Sequence, residues 1–141
     1  MNLDRAGRAR VCISALSVFV GLYAIVNAGF SFSGAGERGF VRKGDSYFVS
    51  ALFQLNALGG AVLLLAGLLG ILAVLQRTAL LAWVGAAICA IAGILVMIGV
   101  GDAKTLVGRG IASNASVFFI VALGLAVTQW AAAVDTEPVR R

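Results

Sequence analysis

Four stretches of this chain carry no charged residue for eighteen positions or more, and that leaves few folds open to it. They run approximately 11–32, 48–75, 79–101 and 117–134. Crossing a hydrocarbon layer of ~30 Å takes about 20 helical residues, and each stretch is near or beyond that length. Lipid offers no water to hydrogen-bond an exposed amide or carbonyl, so an apolar span must satisfy its own backbone as a helix. The sequence therefore predicts an all-α, polytopic membrane protein, a four-helix transmembrane bundle in which positions 1–141 form one domain. Composition agrees: the chain is 61% hydrophobic and 12% charged, against about half and a quarter in soluble domains. Its mean hydropathy is +1.02.

Only Gln76, Arg77 and Thr78 separate the second and third stretches, which forces a tight antiparallel hairpin. The N-terminal "RAGRAR" followed by an apolar run has the outline of a secretory signal. The run is too long for one and "SGAGE" is a poor cleavage site, so a retained first helix is expected. Orientation follows from Lys and Arg in short loops. One side holds Arg5, Arg8, Arg10, Arg77, Arg140 and Arg141; the other holds Arg38, Arg42, Lys43, Lys104 and Arg109. Six against five is a small bias toward cytoplasmic termini, and a balance so close leaves dual topology open. Trp83 and Trp130 fall near the expected cytoplasmic headgroup level. The richness in Ala, Val, Leu, Gly and Arg is of the kind that high-GC bacterial genomes encode, so the expected location is a bacterial inner membrane.

The net charge of +5 is scattered over tails and loops. Nucleic-acid binding needs a concentrated basic footprint, and none is present; anionic lipid headgroups are the expected counter-charge. The expected partners are the lipid bilayer and either another membrane protein or further copies of this chain. Cys12 and Cys89 both lie in apolar stretches, one near an edge and one mid-span, and are expected to be structural thiols.

The segment "FQLNALGG" sets two amides, Gln54 and Asn56, ahead of a long apolar run. In the helix expected from Phe48 they point about 200° apart at 3.6 residues per turn. Asn56 then shares a face with Gly60, Gly67 and Gly70, a stripe of small residues that lets membrane helices approach closely. The expectation is an interhelical hydrogen bond from Asn56, with Gln54 half solvated near the outer interface. Similar small seams run through Ser14, Ser17, Gly21, Ala24 and Ala28, through Ala82, Ala86, Cys89 and Gly93, and through Ala122, Ala126, Gln129 and Ala133. Asp45 or Ser46 is the expected cap of the second helix, and Ser113 or Asn114 of the fourth. The loops around "GERGF" and "VGRGI" echo each other, as a duplicated two-helix unit would. Chance similarity between glycine-rich loops is the plainer account.

Asn27, Gln54, Asn56 and Asp102 all fall toward the outer side, where they would line a shallow polar pocket or provide ordinary interfacial polarity, the simpler reading. Proton relays and transporters usually place an ionisable group inside a span, and the apolar stretches contain no Asp, Glu, Lys or Arg. There is no His, no zinc-ligand spacing and no acid paired with a nucleophile, so neither an enzyme nor a cofactor is expected. The chain has the size of small multidrug exporters and fluoride channels. It lacks the membrane-embedded Glu of the first and the phenylalanine and glycine motifs of the second, and resembles neither. The expected function is that of a non-enzymatic accessory or scaffold subunit, packing through its small-residue seams and anchored to headgroups by its arginines. The alternative is a small oligomeric permease or channel component with Asn27 and Asn56 along its path.

Overall fold

In the computed structural model, residues 5–27, 55–99, 107 and 112–135 are described. They form four helices: α1 (Arg5–Asn27), α2 (Ala57–Leu75), α3 (Ala79–Ile98) and α4 (Ala112–Asp135). Each is long and apolar enough to span a membrane.

The boundaries differ from the apolar stretches for local reasons. Helix α1 begins at Arg5, well before the apolar run, because Ala and Arg are good helix formers; hydropathy locates the lipid-compatible part of a helix, not its start. Helix α2 begins at Ala57, nine residues after the expected start at 48. Asn56 is extended (φ −86°, ψ 179°), and its side-chain oxygen accepts from the Gly59 N–H at 2.8 Å. That bond satisfies one of the donors orphaned at a helix start, the usual role of an N-cap Asn. Helix α4 begins at Ala112, so Ser113 and Asn114, expected as caps, lie within its first turn. The expected caps at positions 45 and 46, like Ala28, lie outside the described residues.

The α2–α3 connection is a Schellman turn. Gln76 closes α2, the Thr78 N–H donates to the Ala73 carbonyl at 3.0 Å, and the Arg77 N–H donates to the Val74 carbonyl at 3.4 Å. The pattern puts the residue after the cap in the left-handed region, where Gly is usual. Here it is Arg77, with φ 52°.

The helices close into a ring, α1 on α2, α2 on α3, α3 on α4 and α4 back on α1. The α1–α2 pair is antiparallel and so close that backbone touches backbone. A Cβ added to Gly21 would lie 2.6 Å from the Gly60 carbonyl oxygen, and one added to Gly60 would lie 2.7 Å from that of Gly21. Further along, a Cβ on Gly67 would lie 2.6 Å from the Ser14 carbonyl oxygen. Only glycine permits this approach, and where the hydrophobic effect is absent such contact is what holds helices together. The other side of the ring is antiparallel too, with Phe119 seated over Gly93 and Leu125 over Gly85.

The interior is filled mainly by small residues. Ser14, Ser17, Gly21 and Ala24 of α1 are all buried, as are Ala82, Ala86, Cys89 and Gly93 of α3. In α4, Ala122 and Gln129 are buried, Ala126 is half-buried and Ala133 is exposed. Phe118, Leu63, Leu125 and Val96 are the largest apolar side chains fully enclosed. The outside carries the bulk, with Leu16, Phe19, Leu68, Ile91, Ile98, Leu123 and Trp130 all exposed. Both cysteines are free thiols; Cys12 is exposed and Cys89 buried.

Candidate functional site

Buried polar groups gather at the two ends of the bundle. At the first end, Asn56 caps α2 while its own N–H donates to the Val107 carbonyl at 3.4 Å. The same carbonyl lies against Gly59, at the position a Cβ would need, so Val107 closes over the start of α2. Leu55 and Val107 are buried in the core here. Asn114, in the first turn of α4, is fully enclosed and, like Asn56, is engaged by its surroundings.

At the second end, Arg10 of α1 is only 5% exposed. Its Nη2 donates to the Thr128 carbonyl of α4 at 2.8 Å, and its Nε reaches the Thr128 Oγ1 at 3.5 Å. The Thr128 hydroxyl is itself tied to its own helix, donating to the Gly124 carbonyl at 2.7 Å. One turn along α1 from Arg10, the Ser14 Oγ sits against Gly70 and Leu125 with no hydrogen-bond partner. Ser17, the next seam residue, donates across the interface to the Leu63 carbonyl at 2.7 Å. Gln129, one turn after Leu125 on α4, has its Oε1 buried and unpartnered as well.

Of the residues expected to form an outer site, Gln54 and Asp102 lie outside the described residues, and Asn27 is the last residue of α1. Asn56 spends its side-chain oxygen on the start of its own helix; the interhelical bond that crosses the α1–α2 interface is made by Ser17 instead. Gly60 and Gly67 belong to that interface, against Gly21 and Ser14. The seam of α1 continues one turn beyond Ser14, to Arg10, the residue just before the apolar stretch. Its position four residues before Ser14 puts it on the buried face, and that spacing is the signal from which a buried arginine could have been read. Among the described residues, no three His, Cys, Asp or Glu side chains gather as a metal site would require.

No family model matches the chain, and neither does any curated protein or solved structure. Function has to be argued from the bundle itself.

Proposed function

We propose that this protein is a non-enzymatic accessory or scaffold subunit of a membrane, packing through its outer faces with another membrane protein or with further copies of itself. The observation that carries this reading is the backbone-close packing of the interior. The space around the bundle axis at Gly60, Gly67, Gly70, Gly85 and Gly93 is taken up by neighbouring helices, so the small-residue seams are used within one chain. The surface left for a partner is the outer one of Leu, Ile, Val, Phe and Trp. A photoreactive residue at Phe19, Ile91 or Leu123 should form discrete protein–protein adducts in native membranes. Lipid adducts alone at all three positions would sink the scaffold reading.

One observation favours the permease alternative: the unpartnered Ser14 and Gln129 atoms lie inside the bundle, near a buried cation. Intramembrane polar groups often mark solute or proton paths. On that reading, vesicles containing the protein should pass small solutes or protons faster than empty ones, and Gln129→Leu should change the rate.

The membrane in question is, on this proposal, the inner membrane of a bacterium. The arginine-bearing end, with Arg5, Arg8 and Arg77, faces the cytoplasm as the positive-inside rule would have it. Cysteines introduced at Gly36 and Gly108 should then react with an impermeant thiol reagent outside cells, and one at Thr78 should not. The reverse pattern would invert the topology.

A further inference from the structure

The arginines of the second end carry more than an orientation signal. Arg5, Arg8 and Arg77 are exposed, and none forms an ion pair among the described residues. Their height on the bundle is set by packing. The Arg10–Thr128 hydrogen bond levels the start of α1 with the last turns of α4. Arg8 is two residues from Arg10 and Trp130 two from Thr128, each about 3 Å along its axis at 1.5 Å per residue. Arg77 lies in the turn before α3, and Trp83 is four residues into that helix from Ala79, about 6 Å along its axis at the same rise. Trp83 and Trp130 are both outward-facing, 47% and 65% exposed. Tryptophans that face outward from an apolar bundle settle at the headgroup boundary. The guanidinium groups of Arg8 and Arg77 therefore stand at the depth of lipid phosphates.

Arg77 adds a second indication. Its left-handed backbone position is one that Gly takes at least cost, so the sequence keeps a cation where the backbone would prefer none. The turn holds that cation on the surface, and a planar guanidinium binds a phosphate oxygen pair through parallel N–H donors.

We propose that this end of the bundle is a binding surface for anionic phospholipid headgroups, with Arg8 and Arg77 as the phosphate contacts, Arg5 reinforcing them, and Trp83 and Trp130 setting the depth. The occupant is a lipid of the phosphatidylglycerol kind, bearing a net negative phosphodiester. The inference rests on the membrane-spanning reading of the four helices and adds a lipid class and its contact residues.

The test uses the full chain reconstituted in vesicles of phosphatidylcholine alone, or of phosphatidylcholine with a quarter phosphatidylglycerol. The readouts are the lipid retained on detergent purification and the thermal unfolding midpoint. A surface cation near a charged leaflet favours anionic lipid by about fivefold each. Wild type should be enriched in phosphatidylglycerol and should melt higher in the mixed vesicles. The pair Arg8→Gln with Arg77→Asn, the latter tolerated in the left-handed region, should lower the ratio of bound phosphatidylglycerol to phosphatidylcholine by up to about 25-fold and remove most of the shift. Unchanged enrichment in that variant, or none in wild type, would overturn the proposal. So would an equal shift from millimolar glycerol phosphate added to phosphatidylcholine vesicles, since the site would then take free phosphate. Alkaline carbonate extraction separates the two levels of inference. A chain stripped from the vesicles refutes the membrane-spanning reading, whereas a retained chain without lipid preference refutes only this surface.

Discussion

Asn56 and Gln129 are both buried amides in an apolar bundle, at opposite ends, and they have opposite fates. Asn56 is 1% exposed; its oxygen caps Gly59, and its N–H meets the Val107 carbonyl. Gln129 is 9% exposed and its oxygen has no hydrogen-bond partner among the described residues. The difference extends to the neighbours: Asn114 is engaged at the first end, while Ser14 is unpartnered toward the second. A buried polar group that finds its partner adds modestly to stability, whereas one left without a partner costs its full desolvation. The Asn56 end thus has its buried amides engaged, whereas the Arg10 end holds the bonded Arg10–Thr128 pair together with two orphaned polar atoms, on Ser14 and Gln129, which cost stability.

The contrast can be broken or sharpened by substitution, read by steric trapping or unfolding in mild detergent. The largest effect should come from the seam that both ends share. Gly67→Leu drives a side chain into the Ser14 carbonyl and Val18, and should cost about 3 kcal/mol, the upper part of the overpacking range. Leu68→Ala, on the outer face, should stay within about 0.5 kcal/mol. Equal losses at these neighbours would mean that α1 does not dock on the glycine stripe. Next comes Asn56→Leu, which removes the cap and strands the Gly59 N–H, for a loss of about 2 kcal/mol. Asn56→Ser, which can still cap and adds no buried charge, should retain most of the stability.

The two serines of α1 give a finer comparison. Ser17→Ala loses the bond to the Leu63 carbonyl and should cost about 0.6 kcal/mol, and no more than ~1.7, the span seen for hydrogen bonds between membrane helices. Ser14→Ala loses no bond and takes an orphaned hydroxyl out of the interior, so it should leave stability unchanged or raise it by up to about 0.5 kcal/mol. The last effect runs in the stabilising direction. Gln129→Leu should raise stability by about 0.5 kcal/mol, because an orphaned acceptor leaves the interior. A loss matching that of Asn56→Leu would show that Gln129 has a partner after all and would erase the contrast between the ends.

Most of the architecture was legible because helices long and apolar enough to span a membrane stand out as uncharged runs and close packing demands small residues, and both show in the order of amino acids. Ser14, Ser17, Gly21 and Ala24 could be read as one face from spacing alone. The start of α2 could not. Phe48 to Leu55 is apolar enough to pass for a continuing helix, and Asn serves equally as a mid-helix amide or a cap. Because Asn56 is extended, helix-wheel arithmetic between Gln54 and Asn56 has no basis across that point. Arg10 was missed for a related reason. Charge ends an apolar stretch in any hydropathy scan, yet this guanidinium turns inward to a carbonyl and stays in the helix. Which amides would end up bonded depends on distances between helices, which no single-chain pattern contains.

The Arg10–Thr128 contact also has a place in time. It joins residues 118 positions apart, while the Ser17–Leu63 bond joins residues 46 apart. At a synthesis rate of 5–20 residues per second, the first gap takes roughly 6–24 s to translate and the second roughly 2–9 s. The α1–α2 pair can therefore assemble while the ribosome is still making the rest of the ring. Through that interval Arg10 stands at the mouth of an unfinished bundle without Thr128, and on the proposed membrane topology it counts with Arg5 and Arg8 among the charges that hold the N-terminus on its own side. When α4 arrives, the same side chain is drawn inside and bolts the last helix to the first. One arginine can thus serve the emerging chain as an orientation signal and the finished bundle as its fastening.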